Sequence, residues 1–334
     1  MRAFTVTRYD GKEELELTEV AAPVVKDNEV LVQIHAAGIN LLDSLIKKGE
    51  FKIFLPYKPP FVLGHDVAGV VTKVGTAVNK FKVGDEVYAR PSNFHIGTFA
   101  EYISIPENDL ALKPKNISME EAASIPLVGL TAWQALIEIG KLNKGQKVFI
   151  QAGSGGVGTF AIQLAKHVGA TVATTTSASN FDLVNKLGAD VIIDYQKEDF
   201  ENRLKDYDVV LHSNRDSKIL EKSLRVLKPG GILISLTGPP TPGFAAELNL
   251  GWHLKFLTKL LSSAVRKKAK KLNVNFSFLF MKAEGNQLSE ITTLINSGII
   301  KPVVEKVFQF EQTNEAMAYV ETGRAKGKVV VKMK

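Results

Sequence analysis

Val148-Phe149-Ile150-Gln151-Ala152-Gly153-Ser154-Gly155-Gly156-Val157-Gly158 runs from an apolar, β-branched stretch straight into a glycine loop. The residues behind it, Val157–Val168, have a helical composition. A Gly-x-Gly-x-x-Gly spacing is common by chance. Lying between a strand and a helix, it has the context its mechanism needs. The glycines permit a tight turn and close backbone approach, and the helix start offers free N–H groups and partial positive charge to a pyrophosphate. Working outward, strand-like runs at Lys147–Gln151, Thr171–Thr175, Val191–Asp194, Asp208–His212 and Gly231–Leu236 alternate with helical stretches. The helices are expected at Val157–Val168, Asn180–Leu187, Asp199–Asp206 and Lys218–Leu227. That order predicts an α/β fold, a doubly wound parallel sheet of Rossmann type.

The end of the second strand bears on the nucleotide. A site for NAD usually has Asp or Glu there, accepting from the ribose 2′-hydroxyl. Here the chain reads Thr174-Thr175-Thr176-Ser177-Ala178-Ser179-Asn180, with no acid before Asp182. Hydroxyls and an amide from Thr176, Ser177 and Asn180 can donate to a 2′-phosphate, which a carboxylate would repel. NADPH is the expected cofactor.

Upstream the period changes. Val30, Val32, Ile34 and Ala36 share one face of an alternating run, and short strands follow at Ala68–Val74, Glu86–Ala89 and Ala100–Ile105. Several short strands separated by turns suggest a small antiparallel barrel or sandwich. Ser118-Met119-Glu120-Glu121 is a capping box that opens a helix. After the helical Gln287–Ser297, β-rich pieces end in Lys328-Val329-Val330-Val331. They resemble the first third, so the nucleotide-type domain reads as an insertion within the other one.

The chain has 334 residues, 45% hydrophobic and 23% charged. This fits two globular domains and excludes a disordered or repetitive protein. It has no cysteine, so it has no disulfide, thiolate nucleophile or Cys-ligated metal site. Met1–Asp10 has no apolar signal core. No apolar run reaches the length of a spanning helix, roughly 18 residues. A cytoplasmic location is the expectation.

Together these motifs resemble the zinc-independent branch of the medium-chain dehydrogenase/reductases, the quinone oxidoreductases of the zeta-crystallin kind and the alkenal/enone reductases. The likeness spans nearly the whole chain. It is carried by Ala37-Gly38-Ile39-Asn40 with Asp43, Gly64-His65-Asp66-Val67-Ala68-Gly69, Val83-Gly84-Asp85-Glu86-Val87, Gly129-Leu130-Thr131-Ala132, the glycine loop, Leu227-Lys228-Pro229-Gly230-Gly231 and Gly327-Lys328-Val329. The resemblance implies a GroES-like catalytic domain over 1–123 and 278–334, with a Rossmann domain over 124–277. It implies pyrophosphate contacts from Thr131 and from Ser154, Gly155, Gly156, Val157 and Gly158. Ser177 and Asn180 face the adenosine phosphate, Tyr195 meets the nucleotide, and Phe278-Leu279-Phe280 lies by the nicotinamide. Arg324 or Lys328 supplies charge for the 2′-phosphate. Zinc members carry Cys where this chain has Asn40 and Glu where it has Asp66, so no metal is expected and His65 reads as a structural remnant. Leu211-His212-Ser213-Asn214-Arg215 departs from the family's Asp-Val-Gly-Gly pattern.

A site without metal suits hydride addition to an electron-poor carbon of a quinone or an α,β-unsaturated carbonyl, with the developing oxyanion held by hydrogen bonds. Asn40 is the candidate donor to the substrate oxygen. Tyr57 is a candidate proton donor or stacking residue, with loop packing as its alternative. Asp43 is expected to cap a helix around Leu41–Lys48. His95 and His253 read as surface or packing residues, and a homodimer is expected only by analogy with the family.

The net charge of +7 is concentrated. Between Trp252 and Asn273 stand Lys255, Lys259, Arg266, Lys267, Lys268, Lys270 and Lys271, and no acid. Leu254, Leu257, Leu260, Leu261, Ala264 and Val265 recur at helical spacing, predicting one amphipathic basic helix. Its basic face is solvated, meets an anionic membrane, or binds nucleic acid. The last is disfavoured because no nucleic-acid motif accompanies it. The rival function is therefore a nucleotide-sensing or peripheral binding protein acting through residues 252–273.

Overall fold

The computed structural model describes residues 1–10, 13–55 and 57–333. The chain divides into two compact units, Met1–Leu130 with Lys282–Lys334, and Thr131–Met281. Each seam falls a few residues after the 123/124 and 277/278 positions expected from the sequence. Leu127 N–H donates to Asp66 Oδ1 at 2.7 Å, which ties the next segment to the first unit. Leu279 N–H donates to the Ser235 carbonyl at 2.9 Å, which keeps Leu279 on the second unit's sheet.

In the first unit, Glu29–Ile39 is the spine of a seven-stranded sheet. Val30, Val32, Ile34 and Ala36 are buried as the period-two pattern requires. Val67–Val74 and Tyr102–Pro106 pair with this strand antiparallel. So does Lys328–Lys332, with Val329 opposite Ile39, and the C-terminus thus returns to the first unit. A separate three-stranded sheet places Arg2–Val6 between Glu16–Glu19 and Phe61–Val62. The Ser118 capping box is present, the hydroxyl accepting from Glu121 N–H at 3.1 Å and the Glu121 carboxylate accepting from Ser118 N–H at 2.9 Å.

In the second unit six parallel strands lie in the order Val191–Asp194, Thr171–Thr176, Lys147–Ile150, Tyr207–His212, Leu227–Ser235, Asn275–Phe278. Phe149, Ala173, Ile193, Val210 and Leu233 form the middle of its core. The strand Asn275–Phe278 adds to the expected set. Its alternation of Asn, Phe, Ser and Phe is too short to stand out, and pairing with Leu227–Ser235 makes it a strand. The helix expected at Asp199–Asp206 is only a 3₁₀ turn, Phe200–Asn202. Asp199 caps that turn, and Phe200 and Leu204 are buried. Asp206 takes φ 61, a left-handed conformation that stops helical continuation before the next strand.

The single basic helix expected over 252–273 is two, Trp252–Leu261 and Ser263–Lys271. Of the apolar residues at helical spacing, Leu257, Leu260 and Leu261 are exposed and Val265 is buried. The packed positions are Thr258, Ser262, Val265 and Ala269, which place small side chains against the unit and leave the bulky ones outside.

Candidate active site

In the second unit the strand order reverses between Lys147–Ile150 and Tyr207–His212, so the carboxyl ends of these two strands mark the topological switch point. The glycine loop leaves the first of them. Gly153 packs against Thr174, and a Cβ there would meet Thr174 Oγ1 at 2.1 Å. At Gly158 a Cβ would meet the Ala152 carbonyl at 2.3 Å, so this glycine lets helix Gly156–Val168 pack onto the loop. At Gly155 the closest approach would be only 3.3 Å. The turn also holds Ala152 at φ 52, a left-handed conformation. No side chain caps the helix start at Gly155, which leaves the early N–H groups of Gly156, Val157 and Gly158 as an anion cradle.

The fold gathers the polar residues expected beside this cradle. Thr176 Oγ1 donates to Ser154 Oγ at 2.9 Å, and Asn180 Nδ2 lies 3.2 Å from both Ser154 Oγ and Ser177 Oγ. Asn180 Oδ1 is buried and has no hydrogen-bond partner among the described residues, which leaves it open to accept from a donor group. Tyr195 is exposed one residue past the strand end, its N–H directed at the Thr176 carbonyl at 3.4 Å. Parallel pairing sets Asp194 opposite Thr176 and brings in Lys197, whose ammonium lies 3.9 Å from Asp194 Oδ2. Nothing local marks Lys197 in the sequence. It is distant from the glycine motif, and only strand register connects them.

The other side of the switch point carries His212, buried at the end of its strand. Its Nδ1 shares a 3.0 Å hydrogen bond with Ser235 Oγ, and its Nε2 has no partner among the described residues. Burial pulls the imidazole down to about 4, so it is neutral at ordinary pH. Ser213 N–H donates to Gln151 Oε1 at 3.2 Å, and Gln151 Nε2 donates to Ser223 Oγ at 2.8 Å. The rings of Phe278 and Phe280 both pack edge-on against Phe244, with centroids at 5.3 and 5.4 Å. Thr131 opens this unit as a buried residue of helix Pro126–Trp133.

The first unit holds a buried polar cluster. Asn40 and Asp43 form the capping box of helix Leu41–Lys47, with Asn40 N–H donating to Asp43 Oδ2 at 2.7 Å. His65 Nδ1 donates to Asp43 Oδ1 at 2.6 Å, and its Nε2 has no partner among the described residues. Asp66 Oδ2 accepts from Lys328 Nζ at 2.9 Å and from Asn40 Nδ2 at 2.9 Å. Lys328 also donates to Asn40 Oδ1 at 2.5 Å.

This cluster corrects two expectations. Asn40 does not present a free amide to a substrate, because its Nδ2 is engaged by Asp66 and by the Gly38 carbonyl, and its Oδ1 by Lys328. Lys328 is not a 2′-phosphate ligand, since it is 5% exposed and its charge is neutralised by Asp66 inside the sheet. Arg324, the other candidate, is an exposed residue just after helix Thr313–Glu321.

Tyr57 donates its hydroxyl hydrogen to the Asn93 carbonyl, and its ring packs on Phe61 with centroids at 5.2 Å. Burial pushes its pKa well above the usual phenol value, although nearby Arg90 opposes the rise. Arg90 simply follows a strand in the sequence, which gives it no distinguishing signal. It is fully buried, donates to Asn93 Oδ1 and, at 2.9 Å, to the Pro91 carbonyl, and its Nε has no partner among the described residues.

The residues at 40, 65 and 66 do not fit a catalytic zinc. The chain offers one imidazole and one carboxylate there, and a lysine ammonium already neutralises the carboxylate. Among the described residues no group of three or more His, Asp or Glu side chains is placed to hold a metal ion.

Comparison with known proteins agrees with this architecture. The model of a family described as "Alcohol dehydrogenase GroES-like domain" matches residues 26–115, and one described as "Zinc-binding dehydrogenase" matches residues 187–331. The chain is 38% identical to a 2-methylene-furan-3-one reductase of Solanum lycopersicum, over 99% of this chain and 79% of that protein. It is 37% identical to an NADPH-dependent alkenal/one oxidoreductase, chloroplastic, of Arabidopsis thaliana, with the same coverage of 99% and 79%. The quinone oxidoreductase structure from Coxiella burnetii superposes with a TM-score of 0.87 at 29% identity, covering 100% of this chain and 99% of that one. The chain therefore belongs to the medium-chain dehydrogenase/reductase family, in the branch of the quinone oxidoreductases and alkenal/enone reductases.

Proposed function

We propose that the protein is an NADPH-dependent, zinc-independent oxidoreductase that reduces quinones or α,β-unsaturated carbonyls. The observation that carries this reading is the group Ser154, Thr176, Ser177 and Asn180 beside an uncapped glycine-rich helix start, with no carboxylate on the strand end Thr176. Such a set receives a phosphate better than a ribose diol. The relatives' names point the same way: one is an NADPH-dependent alkenal/one oxidoreductase and one a quinone oxidoreductase.

When bound, NADPH supplies the hydride. The N–H groups of Gly156, Val157 and Gly158 hold the pyrophosphate, while Ser177, Asn180 and Lys197 hold the adenosine phosphate. The neutral His212 orders the strand end through Ser235 without adding charge to the site. Zinc independence is supported by the Lys328–Asp66 pair, which fills the position from which a metal would bind Asp66. Tyr57 retains its proton at neutral pH and can pass it to the enolate or hydroquinone oxygen formed by hydride addition, once its hydrogen bond moves from the Asn93 oxygen to that oxygen, and solvent then reprotonates the phenolate.

Steady-state assays with NADPH and NADH against 1,4-quinones, 2-alkenals and cyclic enones test the reading. The expected result is turnover with NADPH that persists after chelator treatment. Absence of turnover with all three classes rejects it. We further propose a homodimer formed through the edge strand Asn275–Phe278, tested by sedimentation, and a cytoplasmic location, tested by fractionation.

A further inference from the structure

We propose that Trp252–Lys271 is a docking surface for an anionic lipid bilayer. This goes beyond the catalytic reading and does not depend on it. Helix Trp252–Leu261 is turned inside out relative to an ordinary surface helix. Its buried positions continue into the next helix as Thr258, Ser262, Val265 and Ala269. The two hydroxyls at those positions are satisfied locally, Thr258 Oγ1 by the Lys255 carbonyl at 2.9 Å and Ser262 Oγ by the Thr258 carbonyl at 2.7 Å. The opposite side presents Trp252, Phe256 and Leu260, at 81%, 57% and 56% exposure. Their spacing of four places them on one helix face. A soluble domain buries such side chains unless a partner covers them.

The charge around this stripe identifies the partner. Lys255 and Lys259 flank it. Ser262 N–H donates to the Thr258 carbonyl at 3.1 Å, and Arg266 N–H donates to the Ser262 carbonyl at 3.0 Å, so helical spacing carries across the junction. Three further turns beyond Phe256 and Leu260 stand Lys267 and Lys271. Among the described residues, Lys268 pairs with Glu221, but Lys255, Lys259, Lys267, Lys270 and Lys271 have no carboxylate partner. Exposed Trp, Phe and Leu beside unpaired lysines are what an interfacial helix needs. The rings and Leu enter the headgroup boundary, and the lysine stems reach anionic headgroups. A second copy meeting this surface about a twofold axis would oppose lysine to lysine. A nucleic acid would neutralise the charge but leave the leucines uncovered.

The test uses the 334-residue chain and its two tryptophans, Trp133 and Trp252. In a Trp133→Phe background, Trp252 is the only indole. Phosphatidylcholine vesicles containing phosphatidylserine should bind the protein, shift Trp252 emission to the blue and expose it to quenching by brominated lipid. Phosphatidylcholine alone should do so far more weakly, and raised salt should release the protein. Lys267→Gln, Lys270→Gln and Lys271→Gln combined should weaken binding on the order of a hundredfold, at about fivefold per basic side chain. Phe256→Ser should abolish the emission shift. Thermal midpoints should not change, because these side chains are exposed; the lysine triple decides the matter should Phe256→Ser fail to fold. The proposal is overturned by equal binding to neutral and anionic vesicles, by no binding at low salt, or by capture of single-stranded RNA in place of vesicles. It is equally overturned if Phe256→Ser alters only self-association.

Discussion

Lys328 Nζ and Asp66 Oδ2 lie 2.9 Å apart, 262 positions apart in sequence, on elements that join the two ends of the first unit. Both side chains are buried, and Asn40 bridges them, accepting from the ammonium and donating to the carboxylate. Removing one member of such a pair leaves the other charge uncompensated. Lys328→Met should lower unfolding stability by about 3–5 kcal/mol. The double variant Asp66→Asn with Lys328→Met should lose clearly less than the sum of the single variants. Urea unfolding of the four proteins measures the coupling.

Gly155 and Gly158 should fail in different ways. A methyl at 158 meets the Ala152 carbonyl at 2.3 Å, against 3.3 Å at 155. Gly158→Ala should therefore lower the thermal midpoint as well as NADPH affinity. Gly155→Ala should leave the midpoint nearly unchanged and weaken NADPH binding. Thermal scans paired with cofactor titration separate the two outcomes.

His212 gives a pH signature. Its folded-state value of about 4 lies below the usual 6.5, so the unfolded chain takes up a proton that the folded chain refuses. The stability linked to this site is complete above pH 6.5 and is lost as the pH falls from there towards 4. By then the loss is roughly 3 kcal/mol. His212→Gln should flatten the dependence of unfolding free energy on pH in that window and leave it unaltered above pH 7.

Tyr57 is tested by Tyr57→Phe. As proton donor, its loss should cut kcat for enone reduction on the order of 10²-fold or more, with KM little changed. A quinone, whose reduced oxygens can take protons from solvent, should suffer less. Equal small effects on both substrates would return Tyr57 to a packing role beside Phe61.

Local chemistry explains which parts were readable. The glycine loop, the missing acid after Thr176, the helix cap at Asp43, the capping box at Ser118, and the period-two face of Glu29–Ile39 depend on neighbours a few residues away. Short-range sterics and hydrogen bonds decide them. The helix expected at Asp199–Asp206 goes no further than the turn Phe200–Asn202, and Asp206 at φ 61 ends the segment in a left-handed conformation before the next strand. Helix Trp252–Leu261 turns Trp252, Phe256 and Leu260 outward and buries Thr258. Spacing shows that a helix has two faces, but only the surface it packs against decides which one is buried.

The sequence by itself determined the fold class, the nucleotide loop and the exclusion of cysteine chemistry, because these follow from residue type and short spacing. Tertiary structure alone decided what Asn40 and Lys328 do. A lysine near the C-terminus looks like a phosphate ligand until Lys328–Lys332 pairs with Glu29–Ile39. That pairing carries the ammonium into a low-dielectric interior, where it requires a carboxylate and finds Asp66.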